Sequence, residues 1–167
     1  MSSCLKYDFT TSPACPGRHG LFEFHNQVNM NTEIIASTTR ATLAGTISFP
    51  DVVAALMATG VEYYHVEYAA LSMTFYSGSG DVVVMAIPYE GLPSIDTDFQ
   101  TDLLKATILD SQRHGQKFRD FTHRAMSAGV QSYAVFLRGQ RVTYWGRTGD
   151  QHTEWFPGAT PARVEAK

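Results

Sequence analysis

The chain has 167 residues, of which 44% are hydrophobic and 12% aromatic. That is enough apolar material for one domain-sized core, and it argues against a disordered or fibrous chain. Thirteen bases against 16 acids give a net charge of −3, which excludes a strongly basic chain driven to nucleic acid by overall charge.

The first 29 residues mix Ser, Thr, Pro and Gly with scattered aromatics and show no period. They read as an appended arm, or as residues ahead of the true start, with an ordered strand through Leu21–His25 as the alternative. Cys4 and Cys15 are the only cysteines, too few for a disulfide scaffold. With His19 and His25 they make up a Cys2His2 set. Its spacing is unlike a zinc finger, and two free thiols in a reducing cytoplasm are the plainer reading, so no metal is expected. No run of 18 apolar residues exists and no basic start precedes an apolar stretch, so neither a membrane span nor a secretory signal is expected. A cytoplasmic location follows as the expectation.

A short helix is predicted over Thr32–Leu43. The most informative feature comes next. Residues 49–81 align without gaps to residues 118–150, with ten of 33 positions identical. The identities include Asp51/Asp120, Met57/Met126, Gly60/Gly129, Tyr64/Tyr133, Val66/Val135, Thr74/Thr143 and Gly80/Gly149. Two copies are too few for a solenoid, so a pseudo-symmetric domain is expected. Each copy reads as a helix followed by three strands. Ser48 can cap the first helix, with Pro50 in its first turn. Gly60 and Gly129 stand where a left-handed residue ends a helix. Alternation then puts Tyr64, Val66 and Tyr68 on one face, matching Tyr133, Val135 and Leu137. The opposite face differs between copies: Tyr63, His65 and Glu67 become Ser132, Ala134 and Phe136.

Second strands run through Met73–Tyr76 and Val142–Trp145, and third strands through Val82–Ile87 and Gln151–Phe156. A connecting helix near Phe99–His114 is opened by Thr97-Asp98-Phe99-Gln100, a capping box in type, and stopped by Gly115. The whole is expected to be an α+β domain over residues 30–158: a two-layer α/β sandwich of two pseudo-symmetric α-β-β-β repeats, followed by a short polar tail over 159–167. Charge divides along the chain. Residues 48–112 hold nine acids and one base, a balance of −8, and residues 113–147 hold seven bases and one acid, +6.

The helix ending in Ala128-Gly129-Val130, the strand Tyr133–Leu137, the run Val142–Asp150 and the closing Phe156-Pro157-Gly158 resemble the YdfO-like proteins. This is a group of uncharacterised bacterial and prophage proteins, some labelled phage envelope proteins. The first-copy segment Gly60–Asp81 adds to the likeness, which spans roughly residues 32–158. It implies a two-layer α/β fold and no known activity, so no catalytic residue follows from it.

The residues themselves hold no phosphate loop, HExxH, GxSxG or calcium-loop pattern. Asp96-Thr97-Asp98 reads as helix-start capping rather than a metal site, and no cofactor is expected. The leading candidate site joins Arg138, Arg141, Trp145, Arg147, His152, Glu154 and Trp155, because rings beside guanidinium groups stack planar ligands and pair with anions. Its plainer reading is core or dimer-contact tryptophans among solvated arginines. A second candidate joins Tyr63, His65 and Glu67, where a carboxylate could orient an imidazole as general base. Its plainer reading is a solvated sheet face. The expectation is a noncatalytic binding or assembly protein acting on a protein partner or on itself as a homodimer. A small enzyme using His65/Glu67 or His152/Glu154 is the alternative. Anion or nucleic-acid binding through the basic second copy is third, and the acidic half disfavours nucleic acid.

Overall fold

A computed structural model describes residues 30–159. Cys4, Cys15, His19, His25, the arm over 1–29 and the tail beyond 159 lie outside the described residues. Asn31 starts the first helix, α1 (Thr32–Ala44), its side chain accepting the Ile34 N–H at 3.1 Å. Gly45 ends α1 in the left-handed conformation. Ser48 caps α2 (Phe49–Ala58) by accepting the Asp51 N–H, while its hydroxyl donates to the Asp51 carboxylate at 2.5 Å. Three strands follow: β1 (Val61–Glu67), β2 (Ser72–Ser77) and β3 (Val82–Ala86). The chain then forms α3 (Thr101–His114), α4 (Phe118–Ser127), β4 (Val130–Phe136), β5 (Arg141–Gly146) and β6 (Gln151–Trp155).

The strands make one antiparallel sheet in the order β3-β2-β1-β4-β5-β6. The two halves meet at β1 and β4, where His65 opposes Ala134. These two residues occupy matching positions in the halves, so a pseudo-two-fold axis passes between them. The pseudo-symmetry extends beyond the aligned segments. Each helix and strand of the second half starts 69 residues after its counterpart, α1 and α3 included. The connecting helix is therefore the partner of α1, and each half is α-α-β-β-β. Backbone details recur at the same offset. Glu62 and Gln131 are the extra residues of matching β-bulges. The Glu62 carbonyl accepts from Leu137 N–H, and the Gln131 carbonyl from Tyr68 N–H. Leu71 and Gln140 share a positive φ at matching hairpins.

One capping expectation fails. Thr97 does not open α3: the helix begins at Thr101, and Gln100 caps it without a side-chain bond. The preceding loop is held instead by long-range backbone bonds, Asp96 N–H to the Met126 carbonyl and Gln100 N–H to the Ala128 carbonyl. Asp96 Oδ1 accepts the Asp98 N–H at 3.1 Å, a local turn rather than a ligand set.

The core lies between the helices and one face of the sheet. Ile35, Val52, Leu56, Leu104, Ile108, Ala125 and Met126 meet Tyr64, Val66, Phe75, Tyr133, Val135 and Tyr144 there. Burial pushes the Tyr64, Tyr68, Tyr133 and Tyr144 phenols well above their ordinary range.

Candidate functional site

The face of the sheet away from the core is built by the alternate residues of the same strands. Strand register arranges them in cross-strand rows. One row runs Val82, Tyr76, Tyr63, Phe136, Arg141, Trp155 across all six strands. The middle row runs Val84, Thr74, His65, Ala134, Thr143, Thr153, and the last Ala86, Ser72, Glu67, Ser132, Trp145, Gln151. None of these residues belongs to the cluster between sheet and helices, although Ala134, Ser132 and Thr143 are buried among their neighbours on this face.

The first row is a continuous stack. Tyr76 and Tyr63 lie face to face with ring centroids 4.5 Å apart, and Tyr63 stacks on Phe136 at 5.9 Å. The Arg141 guanidinium sits 5.4 Å from the Phe136 ring and 5.5 Å from the Trp155 ring. Such contacts are worth about 0.5–1.5 kcal/mol for each ring pair and about 0.5–1 kcal/mol for each exposed cation–π pair. They set the rings side by side rather than burying them. Tyr63, Tyr76, Phe136 and Trp155 are half-buried and Arg141 is exposed. Among the described residues no carboxylate pairs with Arg141. In the neighbouring rows His65 and Trp145 approach at 6.2 Å.

The structure divides the leading candidate set. Arg141, Trp145 and Trp155 lie on this open face. His152 and Glu154 oppose Tyr144 and Val142, and so turn to the helix side at the sheet edge. They bond to one another at 3.2 Å, with the imidazole mostly enclosed. The three arginines do not form one cluster on the open face. Arg138 lies in the turn beyond the aromatic row and pairs with Glu62 at 3.3 Å. Arg147 lies in the turn at the far end of β5. The second candidate set is brought together with the open half of the first, because Tyr63 and His65 share the face of Arg141 and Trp155. His65 and Glu67 do not form an acid–base pair: the imidazole faces Trp145, and Glu67 Oε1 accepts the Ala69 N–H at 3.1 Å.

Tyr76 and Phe136 belong to the row, yet the sequence does not single them out as site residues. Alternation alone puts each on the right face. Their adjacency depends on β1 pairing with β4 in this register, which lies beyond local pattern.

On this geometry the chain can hold a flat or apolar group against the stacked rings and an anionic group at Arg141. The comparisons add no assigned ligand. No curated protein matches the chain. A family of proteins of unknown function, DUF1398, matches residues 45–153, from the turn before α2 into β6. That stretch covers more than half of the chain and most of the sheet, and the protein belongs to the DUF1398 family.

Proposed function

We propose that the protein is a noncatalytic binding module whose second sheet face, uncovered among the described residues, is its contact surface for a protein partner. The observation that supports this is the aromatic row from Tyr76 through Trp155, laid open on a sheet whose other face is fully occupied. Half-exposed aromatic and arginine side chains in one patch are the composition of energetically important interface centres. The working unit is taken as residues 30–158, with 1–29 as an arm. The resemblance to YdfO-like proteins supports a phage- or prophage-related origin, and a cytoplasmic setting fits a chain with only two cysteines. No helix among the described residues is long and apolar enough to cross a membrane.

The test is selection of peptides from a random displayed library against the immobilised full chain, with a Tyr63→Ala/Trp155→Ala protein as counter-target. Peptides that need the two rings are the expected result. Enrichment that ignores them, or none at all, contradicts the reading.

A second reading rests on Arg141 between two rings: a planar anion stacked on Trp155. It predicts tryptophan quenching by a nucleoside monophosphate that is lost in Trp155→Phe and kept in Trp145→Phe. No quenching by nucleotides, oligonucleotides or acidic metabolites removes it. Acid–base catalysis has less behind it, because of the His65/Glu67 and His152/Glu154 candidates only His152–Glu154 is assembled, and it lies across the sheet from the aromatic row.

A further inference from the structure

Among the described residues the sheet has two edges, β3 and β6, at matching positions in the two halves. Their backbones are alike. In the first half Ser77 N–H donates to the Asp81 carbonyl and Ile87 N–H to the Leu71 carbonyl. Hydrogen bonding alternates along an antiparallel pair, so Val83 and Met85 bond to β2. Val82, Val84 and Ala86 therefore turn their N–H and C=O groups outward. In the second half Gly146 N–H donates to the Asp150 carbonyl and Phe156 N–H to the Gln140 carbonyl. Gln151, Thr153 and Trp155 are accordingly the outward residues of β6.

The side chains on the two edges differ. Edge β6 carries Gln151, Thr153 and the bonded His152–Glu154 pair, with Trp155 as its one apolar residue. Edge β3 is Val-Val-Val-Met-Ala, without a charge or proline, and Val82 and Val84 are 54% and 64% exposed. Natural sheets guard open edges with charge, proline or bulges. This backbone is built twice in one chain, with polar side chains at one edge and bare valine at the other.

We propose that the β3 edge is an interface with a second copy of this chain, pairing antiparallel with the partner's β3 about Val84. The register closes on itself. Val84 meets Val84, Val82 meets Ala86, and each outward residue faces another whose groups also point outward, exchanging two backbone hydrogen bonds per pair. The opposed Val84 side chains make a β-branched cross-strand contact on the open face. Asp81 falls opposite Ile87, so no acid opposes an acid, and Pro88 ends the ladder opposite Gly80. The arrangement is a closed two-fold interface that cannot propagate into fibres, because the other edge has different side chains. It leaves the Tyr63–Trp155 row uncovered, so it stands or falls independently of partner binding there.

The test is analytical ultracentrifugation of the full chain across the micromolar range, with Val84→Lys and, at the matching position of β6, Thr153→Lys. The expected result is a dimer for the parent and for Thr153→Lys, weakened about tenfold or more in Val84→Lys. A parent monomeric throughout, or a dimer unaffected by Val84→Lys, or one broken by Thr153→Lys, overturns the proposal. Hydrogen exchange on the parent provides a check free of variants. The Val82, Val84 and Ala86 amides gain protection as concentration rises, and fast exchange at every concentration overturns the proposal.

Discussion

Gly129 and Gly149 both have positive φ, +82° and +92°, but only one of them is crowded. A Cβ at Gly129 would lie 2.2 Å from the Asp98 carbonyl oxygen, whereas nothing lies within 4 Å of one at Gly149. Gly149→Ala should therefore cost only the left-handed penalty, about 1–2 kcal/mol. Gly129→Ala should cost clearly more, because the loop before α3 must shift, and urea midpoints of the two proteins will show the difference. The need for glycine at position 129 is legible in the sequence as a helix end. The carbonyl that crowds it is not, since it arrives from Asp98, 31 residues earlier. At the same scale, Tyr133 and Tyr144 tie stability to alkaline pH. Burial raises their folded-state pKa above the unfolded value of about 10. Their neutral forms thus contribute fully below about pH 10, and the contribution is lost as pH rises beyond it. Urea stability should fall above that pH, and Tyr133→Phe/Tyr144→Phe should flatten the fall. An equally steep fall in that protein would contradict the assignment.

Among the elements, α1 and α3 show what local pattern conceals. Their first eight positions share only Thr32/Thr101 and Thr38/Thr107, yet Ile35 and Leu104 are both fully buried and Ile34 and Leu103 are both 41% exposed. A helix on a sheet is constrained along its buried stripe alone, so its outer face diverges until the relationship is lost to alignment. The strands remain recognisable because the glycines and bulges at their ends also fix backbone shape. The equivalence carries a stability prediction. Ile35→Ala and Leu104→Ala should each cost about 2–5 kcal/mol, and Ile34→Ala and Leu103→Ala much less. Similar losses at buried and exposed positions, by thermal or urea unfolding, would contradict the paired roles. The cap of α3 is hidden from local pattern for a related reason: Thr97 has the right residue type, but backbone bonds to Met126 and Ala128 decide where the helix begins.

For the whole molecule, the division of charge has a modest structural role. The acidic and basic stretches touch at Glu62–Arg138 and Asp110–Arg124, and Arg119 donates to the Glu90 carbonyl at 2.6 Å. Arg124 and His114 hold the Asp110 carboxyl below its usual range. These contacts are solvent-exposed, and exposed pairs contribute little to stability. The larger contrast lies between the faces of the sheet. The core face repeats across the halves as Tyr64/Tyr133 and Val66/Val135, whereas on the open face only Thr74/Thr143 repeats. Tyr63 has Ser132 as its counterpart, and Phe136 has Glu67. The continuous aromatic row therefore belongs to one end of the sheet only, on a backbone that accepts Ser132 and Glu67 at the places equivalent to Tyr63 and Phe136. The difference between faces is legible in the sequence, and so are Tyr63, Arg141 and Trp155. Their union into one row, and the separation of His152 and Glu154 from it, follow from strand order and register. That contrast also supplies the variant for a decisive measurement. Tyr63→Ser/Phe136→Glu gives each position its counterpart's residue and should preserve the fold. Calorimetric titration of a peptide selected on the parent protein should show about tenfold or greater loss of affinity for this variant. Unchanged affinity in a folded variant would contradict binding through the aromatic row.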